Sequence, residues 1–280
     1  IMGANIGTTV TNILASLGYL RRGDDFRRAF AAATVHDFFN LLAVAVLLPL
    51  ELLTGYLSEV AGWITDLVIG TSGASFKSPL KAAVKMPAGW IKDLLSELGT
   101  QGDLKGALMI VIGLVFIFVA LAFVTRNMRL LVADRVEAAI NRTLGAGSGL
   151  VAIVLGMIIT VAVQSSSITT SVLVPLAAAG VLSLENVYPV TLGANVGTTV
   201  TALLASLATG SPAAVTVALV HTLFNLTGIA LFYPVRSLRA LPIRLATGLA
   251  RISAERRTWA VTYVLAMFLV IPLLGVMILR

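Results

Sequence analysis

The sequence contains no cysteine and few charged residues. The absence of cysteine from all 280 positions excludes disulfide bonds, a thiolate nucleophile and cysteine-ligated metal sites. Charged residues make up only 12% of the chain, whereas soluble domains carry about 25%. This composition excludes a soluble globular protein.

The chain also lacks the motifs of common enzyme classes. Neither Gly-x-Ser-x-Gly nor His-Glu-x-x-His occurs, and the serines at 165–167 have no lysine partner in a Ser-Lys dyad. We therefore expect neither an enzyme nor a bound cofactor. The net charge of +7 comes from short basic runs between apolar segments, a pattern typical of membrane-protein loops rather than nucleic-acid binding.

Long apolar runs dominate what is present. The mean hydropathy is +0.97 and 58% of the residues are hydrophobic. Continuous runs of about 20 apolar residues predict helices that cross a lipid bilayer, whereas an outer-membrane barrel would show alternation. The predicted segments are 31–53, 106–125, 149–182 with a break, 187–208, 214–233 and 258–279. The expected fold is all-α, a polytopic helical membrane protein.

An internal repeat is the strongest pattern in the chain. Residues 3–11, Gly-Ala-Asn-Ile-Gly-Thr-Thr-Val-Thr, recur at 193–201 with one Ile-to-Val difference. The block Val-His-Asp-Phe-Phe-Asn at 35–40 pairs with Val-His-Thr-Leu-Phe-Asn at 220–225. The chain therefore contains two homologous halves.

The distribution of arginines predicts that the two halves are inverted. The segment that carries His36 follows basic residues at 21–28 and should run outward, whereas the segment that carries His221 runs into basic residues at 236–244 and should run inward. Inverted repeats are typical of secondary transporters, which build a site near mid-membrane from interrupted, re-entrant or broken helices.

The repeat and the charges together predict the domain organisation. We expect a first repeat at 1–125 that lacks its N-terminal hairpin and contains an extramembrane loop at 54–105, a cytoplasmic amphipathic linker at 126–148, and a second repeat at 149–280. The opening residues show no signal-peptide pattern. We therefore expect the chain to be a fragment of a longer protein.

A dense polar block lies inside the segment that begins at residue 149. Seven of the eight residues from Gln164 to Ser171 carry an amide or a hydroxyl group. The apolar run before the block extends about 22 Å as a helix, too short to span the bilayer. We therefore predict a broken helix that turns near Gln164, with its free backbone groups satisfied by protein or by a water-filled cavity.

This polar block suits an oxyanion and sodium together. A dehydrated oxyanion needs N–H and O–H donors and a helix N-terminus, while Na⁺ needs hydroxyl, amide and carbonyl oxygens. A Gln-Ser-Ser-Ser turn facing the Asn-x-Gly-Thr-Thr blocks supplies both kinds of group. Anion ligands are therefore sought among Ser165, Ser166, Ser167, Asn5, Thr8 and Asn195. Because these blocks hold no lysine or arginine, co-bound cations must balance the anion.

Alternative interpretations apply to several of these residues. The Gly-x-x-x-Gly pairs also match helix-packing motifs, and Ser or Thr in a membrane helix often bonds to its own backbone. His36 and His221 have no carboxylate cluster beside them, so hydrogen bonding is favoured over metal binding. Asp37 is either an interfacial acid paired with an arginine or an ion-coordinating residue, and its counterpart is Thr222.

The motifs at 164–167, 3–9, 193–199 and 35–40 closely resemble those of the type II sodium-phosphate cotransporters, over almost the whole chain. The resemblance implies Na⁺-driven uptake of inorganic phosphate by alternating access through two inverted repeats, each with a Gln-Ser-Ser-Ser hairpin. It implies phosphate contacts at Ser165 and Ser166, and sodium contacts at Gln164, Ser165, Thr198, Thr201, Asp37, Asn40 and Asn225.

The resemblance also carries finer expectations. An Asp at the position of Asp37 implies an additional sodium ion and electrogenic transport, whereas Gly implies electroneutral transport. The first Gln-Ser-Ser-Ser motif would lie before Ile1, and the short cysteine-free outer loop resembles that of a bacterial protein, which places the chain in the inner membrane. A symporter for sulfate or a dicarboxylate, a channel and a membrane scaffold remain as alternatives.

Overall fold

A computed structural model of the chain describes residues 1–69, 79–100, 102–113, 115, 116, 119, 149–209 and 211–278. The regular secondary structure in these ranges is entirely helical, which confirms the predicted all-α class. The helices are α1 (Met2–Gly7), α2 (Val10–Leu17), α3 (Gly23–Thr54), α4 (Tyr56–Ile69), α5 (Pro79–Glu97), α6 (102–113), α7 (Gly149–Val163), α8 (Ser166–Ala178), α9 (Leu184–Thr209), α10 (Pro212–Phe232), α11 (Arg236–Glu255), α12 (Thr258–Leu265) and α13 (Ile271–Ile278). The predicted linker at 126–148 lies outside the described residues.

Three of the described helices are long and apolar enough to cross a membrane, namely α3, α9 and α10. They match the segments predicted at 31–53, 187–208 and 214–233. Shorter apolar helices occur at Gly149–Val163, Ser166–Ala178 and Thr258–Leu273. The last of these passes from α12 through a π-helical segment, Ala266–Val270, towards α13. Most of the predicted segment 106–125 lies outside the described residues.

Helix α3 lies at the centre of the packing and contacts α8, α9 and α11. The Phe39 ring packs edge-on against Tyr188 of α9 at 6.1 Å and against Phe232 of α10 at 6.2 Å between ring centroids. Phe39 and Tyr188 are fully buried. Aromatic pairs of this kind stabilise a core beyond the area that they bury, and here they join helices from both sequence halves.

Helix α4 packs along α10. The Thr65 and Thr216 hydroxyls are 2.9 Å apart, and the Tyr56 and Thr227 hydroxyls are 3.2 Å apart. The two contacts show that the helices run antiparallel. Helix α4 lies in the segment 54–105, which was expected to be an extramembrane loop with one or two amphipathic helices, and it packs against a candidate span. Its position relative to the bilayer stays a prediction.

Glycines allow α7 and α9 to approach closely. A Cβ atom added at Gly197 would lie 2.6 Å from Thr160 Cβ and 2.8 Å from the Met157 carbonyl oxygen. By contrast, a Cβ at the first-half counterparts Gly3 and Gly7 would meet nothing within 4 Å. The packing role that the sequence allowed for the Gly-x-x-x-Gly pattern therefore holds for the second copy.

Replacement of Gly193 by alanine tests this close approach. A Cβ there would collide with the Ile153 carbonyl oxygen and lie 2.8 Å from the Met157 backbone nitrogen. We expect Gly193→Ala to lower the free energy of unfolding by about 1–3 kcal/mol, the usual cost of overpacking. Thermal unfolding in detergent measures the loss. The control is Gly248→Ala in α11, where an added Cβ meets nothing within 4 Å; equal stability of the two variants would contradict the expectation.

Candidate functional site

The helix break predicted near Gln164 is present. Helix α7 ends at Val163, Gln164 adopts a left-handed backbone with φ of +56°, and α8 begins at Ser166. Ser165 caps α8 by accepting a hydrogen bond from the Ile168 backbone N–H at 3.3 Å. The first backbone N–H groups of α8 therefore lie beside the break, where they provide a partial positive charge.

Helix α8 folds back on α7. Thr160 donates to the Thr169 hydroxyl at 2.9 Å, and these two residues lie at similar distances on either side of the break. Thr169 in turn donates to the Ser165 carbonyl oxygen at 3.2 Å. The break is thus the tip of a helical hairpin, as the short length of the apolar run predicted.

The polar face of α8 contacts the first Gly-Ala-Asn block. Ser167 Oγ donates to the Thr8 carbonyl oxygen at 3.4 Å, at the junction of α1 and α2. Further along, Asn12 Nδ2 donates to Thr170 Oγ1 at 2.7 Å, and Ser171 Oγ donates to Asn12 Oδ1 at 3.1 Å. The structure therefore brings together two of the polar blocks that the sequence singled out, one from each half.

The register of α7 and α9 brings Thr160, near the end of α7, beside Gly197 of α9. Gly193 contacts Met157, and Gly197 contacts both Met157 and Thr160, so the two helices run parallel. Gln164 lies just past the end of α7, four residues after Thr160, while Thr201 follows Gly197 by one turn of α9. Gln164 and Ser165 therefore follow the end of α7 that lies beside α9, and a sodium site that they share with Thr198 and Thr201 stays a prediction.

Four asparagines form a hydrogen-bonded ring between the two halves. Asn5 Nδ2 donates to Asn225 Oδ1 at 2.9 Å, and Asn195 Nδ2 donates to Asn40 Oδ1 at 2.9 Å. The side-chain amide of Asn40 donates to the Asn5 carbonyl oxygen at 2.9 Å, and that of Asn225 donates to the Asn195 carbonyl oxygen at 3.3 Å. All four side chains are buried.

Each histidine joins this ring at a matched position. His36 Nε2 donates to Asn195 Oδ1 at 2.6 Å, and His221 Nε2 donates to Asn5 Oδ1 at 2.8 Å. We call the four asparagines and two histidines the Asn/His ring. If each residue is replaced by its counterpart in the other half, every hydrogen bond of the ring becomes another hydrogen bond of the ring. The repeat is thus visible as paired contacts, while the inverted orientation of the halves stays a prediction.

The Asn/His ring bears on the predicted ligand roles. Each of the four amides donates one hydrogen bond within the ring and accepts another. Asn5 and Asn195 were predicted to contact phosphate, and Asn40 and Asn225 to contact sodium. Those roles stay predictions, and the geometry gives all four a mutual structural contact.

Asp37 lies apart from any basic partner. It is fully buried, and among the side chains that the structure describes it is the one buried acid, with no lysine or arginine buried. The ion pairs there join Arg27 to Asp24 and Arg28 to Asp25. Asp37 Oδ2 accepts a hydrogen bond from the Tyr263 hydroxyl at 3.0 Å. Pairing with an arginine, one of the two sequence interpretations, is therefore not what the structure shows.

Sequence reasoning missed Asn12 and Tyr263. Asn12 carried a signal, because its counterpart in the otherwise matching second block is Ala202. Tyr263 carried none, since it lies 226 residues from Asp37 and outside every repeated block.

The Asn/His ring predicts a stability effect for Asn40. We expect Asn40→Ala to lower the free energy of unfolding by about 2–4 kcal/mol. The substitution removes the acceptor of the Asn195 side-chain amide and the donor to the Asn5 carbonyl oxygen, and both groups are buried. Thermal unfolding in detergent measures this. The control is Asn186→Ala near the start of α9, outside the ring. A loss at Asn40 no larger than at Asn186 would show that the ring contributes little.

Comparisons with known proteins identify the family of the chain. The Na+/Pi-cotransporter family model matches residues 114–253. Sodium-dependent phosphate transport protein 2B of Bos taurus is 32% identical over 361 aligned positions, covering 98% of this chain and 52% of that protein. Protein 2A of Rattus norvegicus is 35% identical over 341 positions, covering 97% and 53%.

The chain spans about half the length of the curated relatives it matches. No solved structure matches it. The family model covers half of the chain, and the relatives align with nearly all of it. The chain therefore belongs to the Na+/Pi-cotransporter family.

Proposed function

We propose that this chain takes part in sodium-coupled symport of inorganic phosphate across a cell membrane by alternating access. The observation that carries the proposal is the helix break at Gln164, whose hydroxyl-rich tip meets the α1–α2 junction. None of the lysines and arginines whose side chains the structure describes is buried there. The relatives are named sodium-dependent phosphate transport proteins, which supports the same substrate and coupling ion.

The N-terminus of α8 supplies the donors that phosphate needs. The backbone N–H groups at the start of α8 point towards the break, and the helix dipole favours an anion there. Ser166 and Ser167 add hydroxyl groups, and Thr8 lies across the contact. Ser166 is 7% exposed and Ser167 is half-buried. Hydrogen bonds from uncharged donors at this tip bind phosphate without fixing it as a permanent ion pair.

Sodium ligands lie on the neighbouring level of α7 and α9. The Thr198 hydroxyl donates to the Ala194 carbonyl oxygen at 3.1 Å, and the Thr201 hydroxyl donates to the Gly197 carbonyl oxygen at 3.3 Å. Since each hydrogen is used along the helix, the threonine oxygens keep lone pairs for a cation. Gln164 is exposed at the break and adds an amide oxygen. Sodium, a hard cation, prefers oxygen ligands of this kind.

Charge balance couples the two ligands. A phosphate anion bound away from water without a basic residue carries a large desolvation cost. Sodium ions bound beside it offset that cost, and the anion does the same for the cations. Each ligand therefore binds more tightly when the other is present, and linkage makes the effect reciprocal.

The finer parts of the proposal concern Asp37 and the membrane. A buried acid without a basic partner is a site for an additional cation, which makes the transport step carry net positive charge inward. Movement of one elementary charge at about 100 mV is worth about 2.3 kcal/mol. The proposed location is the inner membrane of a bacterial cell, with the lipid bilayer around the apolar helices.

Reconstitution of the intact protein in liposomes tests the function. We expect accumulation of radiolabelled phosphate that requires an inward Na⁺ gradient and stops when choline replaces Na⁺. Excess unlabelled phosphate should abolish the uptake, while sulfate and dicarboxylates should leave it unchanged. Uptake that persists without Na⁺ would overturn the proposal, and competition by sulfate would assign the site to another oxyanion.

Gln164→Ala tests the sodium site directly. Loss of one amide ligand should raise the Na⁺ concentration for half-maximal uptake about three- to tenfold, the effect of one modest polar contact. The phosphate concentration for half-maximal uptake at saturating Na⁺ should change much less. Thr247→Ala, which removes a back-bonded hydroxyl on α11, is the control. An unchanged Na⁺ dependence for Gln164→Ala would remove this residue from the site.

Asp37→Gly tests the electrogenic mechanism. We expect this variant to lose the phosphate-induced current while keeping part of the phosphate uptake, because the charge of the additional cation no longer moves. Current and radiolabel uptake are recorded from the same preparation. A variant that keeps the current per transported phosphate would show that Asp37 does not bind the additional cation.

A further inference from the structure

The surroundings of Asp37 are incomplete in one specific way. Its Oδ2 accepts the bond from Tyr263, but its Oδ1 is buried with no hydrogen-bond partner. A buried carboxylate oxygen without a donor is costly, and such groups are rare in native proteins. The carboxylate is therefore half-satisfied by the protein, and the ion pairs of the described side chains lie elsewhere.

Thr9 does not supply the missing donor. Its side chain lies beside the Asp37 carboxylate, but its hydroxyl donates to the Ile6 carbonyl oxygen at 2.7 Å. Towards Asp37 the threonine thus presents an oxygen whose hydrogen is already used. With its hydrogen directed to Ile6, the threonine oxygen keeps lone pairs that a cation beside the carboxylate can use. The pair has the chemistry of a cation site.

Tyr263 is held firmly in its place opposite the carboxylate. Its ring lies 6.3 Å from Phe30 in an edge-on arrangement and 6.1 Å from Phe38 in a tilted one, between ring centroids. Two aromatic neighbours restrict the rotation of the tyrosine ring and so fix the direction of its hydroxyl group. The side chain of Tyr263 is half-buried, while Asp37 behind it is fully buried.

A π-helical segment begins three residues after Tyr263, at Ala266. Such segments shift the face that a helix presents and occur often at functional sites. Here the segment separates the turn of α12 that carries Tyr263 from α13. The position of Tyr263 thus depends on α12 and the π-helical segment that follows it, which lie outside the repeated blocks.

We propose that Tyr263 is a positioning residue for Asp37: its hydroxyl holds Oδ2 so that Oδ1, together with the Thr9 oxygen, is presented to a monovalent cation of the sodium class. The inference rests on the proposed sodium-coupled function and adds a residue outside the repeats to that function. With the hydroxyl bond in place, the carboxylate is oriented before the cation arrives, and less rotational freedom is lost on binding. Without it, the carboxylate rotates and presents no fixed oxygen.

The test is Tyr263→Phe in the intact protein, which keeps the ring against its two phenylalanine neighbours. We expect the Na⁺ concentration for half-maximal phosphate-induced current to rise about tenfold, the effect of one hydrogen bond to a charged group. The phosphate concentration for half-maximal current at saturating Na⁺ should stay within about twofold. Tyr56→Phe, which removes the hydroxyl contact with Thr227 between α4 and α10, is the matched control and should leave the Na⁺ dependence unchanged.

A double-mutant cycle separates positioning from a general structural effect. In the Asp37→Gly background, Tyr263→Phe should cause no further change in the Na⁺ dependence of uptake, because the group that it orients is gone. Equal shifts in both backgrounds would overturn the inference. So would an unchanged or tighter Na⁺ dependence in the single variant. Tyr263→Leu repeats the measurement if the phenylalanine variant does not give folded protein.

A binding measurement distinguishes this inference from the proposed function. Sodium chloride should raise the apparent melting temperature of the wild-type protein in detergent above that in choline chloride, without phosphate present. The rise should be smaller for Tyr263→Phe and unchanged for Tyr56→Phe. A wild-type protein without Na⁺-dependent uptake would refute the proposed function. A wild-type protein that transports, with the same sodium-induced rise in Tyr263→Phe, would refute only the role of Tyr263.

Discussion

The constraint that shapes this structure is that polar groups between apolar helices must be satisfied by the protein itself, because hydrocarbon offers no hydrogen bonds. The Asn/His ring meets it with side chains from both halves of the sequence. Asn5 and Asn225 pair across one side, Asn195 and Asn40 across the other. Each amide is the partner that another amide requires, so the ring fixes four helices relative to one another and leaves little freedom at their centre.

The same constraint identifies where ligands are needed. A polar group that its neighbours already satisfy gains little from binding an ion, whereas an unsatisfied group gains more. The ring belongs to the first kind. The break at Gln164 and the Oδ1 atom of Asp37 belong to the second, since one leaves helix-end N–H groups free and the other lacks a donor. The contrast distinguishes the ring, whose mutual contacts are visible, from the two places where we propose that ligands bind, although all of them are rich in polar residues.

The sequence carried enough information to predict the helix break but too little to predict the pairing of the ring. At Gln164, seven polar side chains in eight positions and a short apolar run are local signals, and both act within a few residues of the turn. The bond between Asn5 and Asn225 joins residues 220 positions apart. Many pairings of four asparagines are compatible with the repeat, and only the packing of the helices selects one. Tyr263 illustrates the same limit, because its bond to Asp37 depends on where α12 lies and on no local motif.

Differences between the two copies carry more functional information than their identities. The asparagines and histidines of the ring are the same in both copies, and each of their contacts has a matching contact between the counterpart residues. A symmetric scaffold needs each of these residues twice. The counterpart of Asp37 in the second copy is Thr222, and that of Asn12 is Ala202. The carboxylate and the amide at these two positions therefore occur in the first copy alone. Asp37 bonds to Tyr263, which has no place in the repeat, and Asn12 bonds to α8 beyond the hairpin tip. An ion or anion bound at one of two similar surfaces requires such asymmetry, because a symmetric pair would bind its ligand equally on both sides.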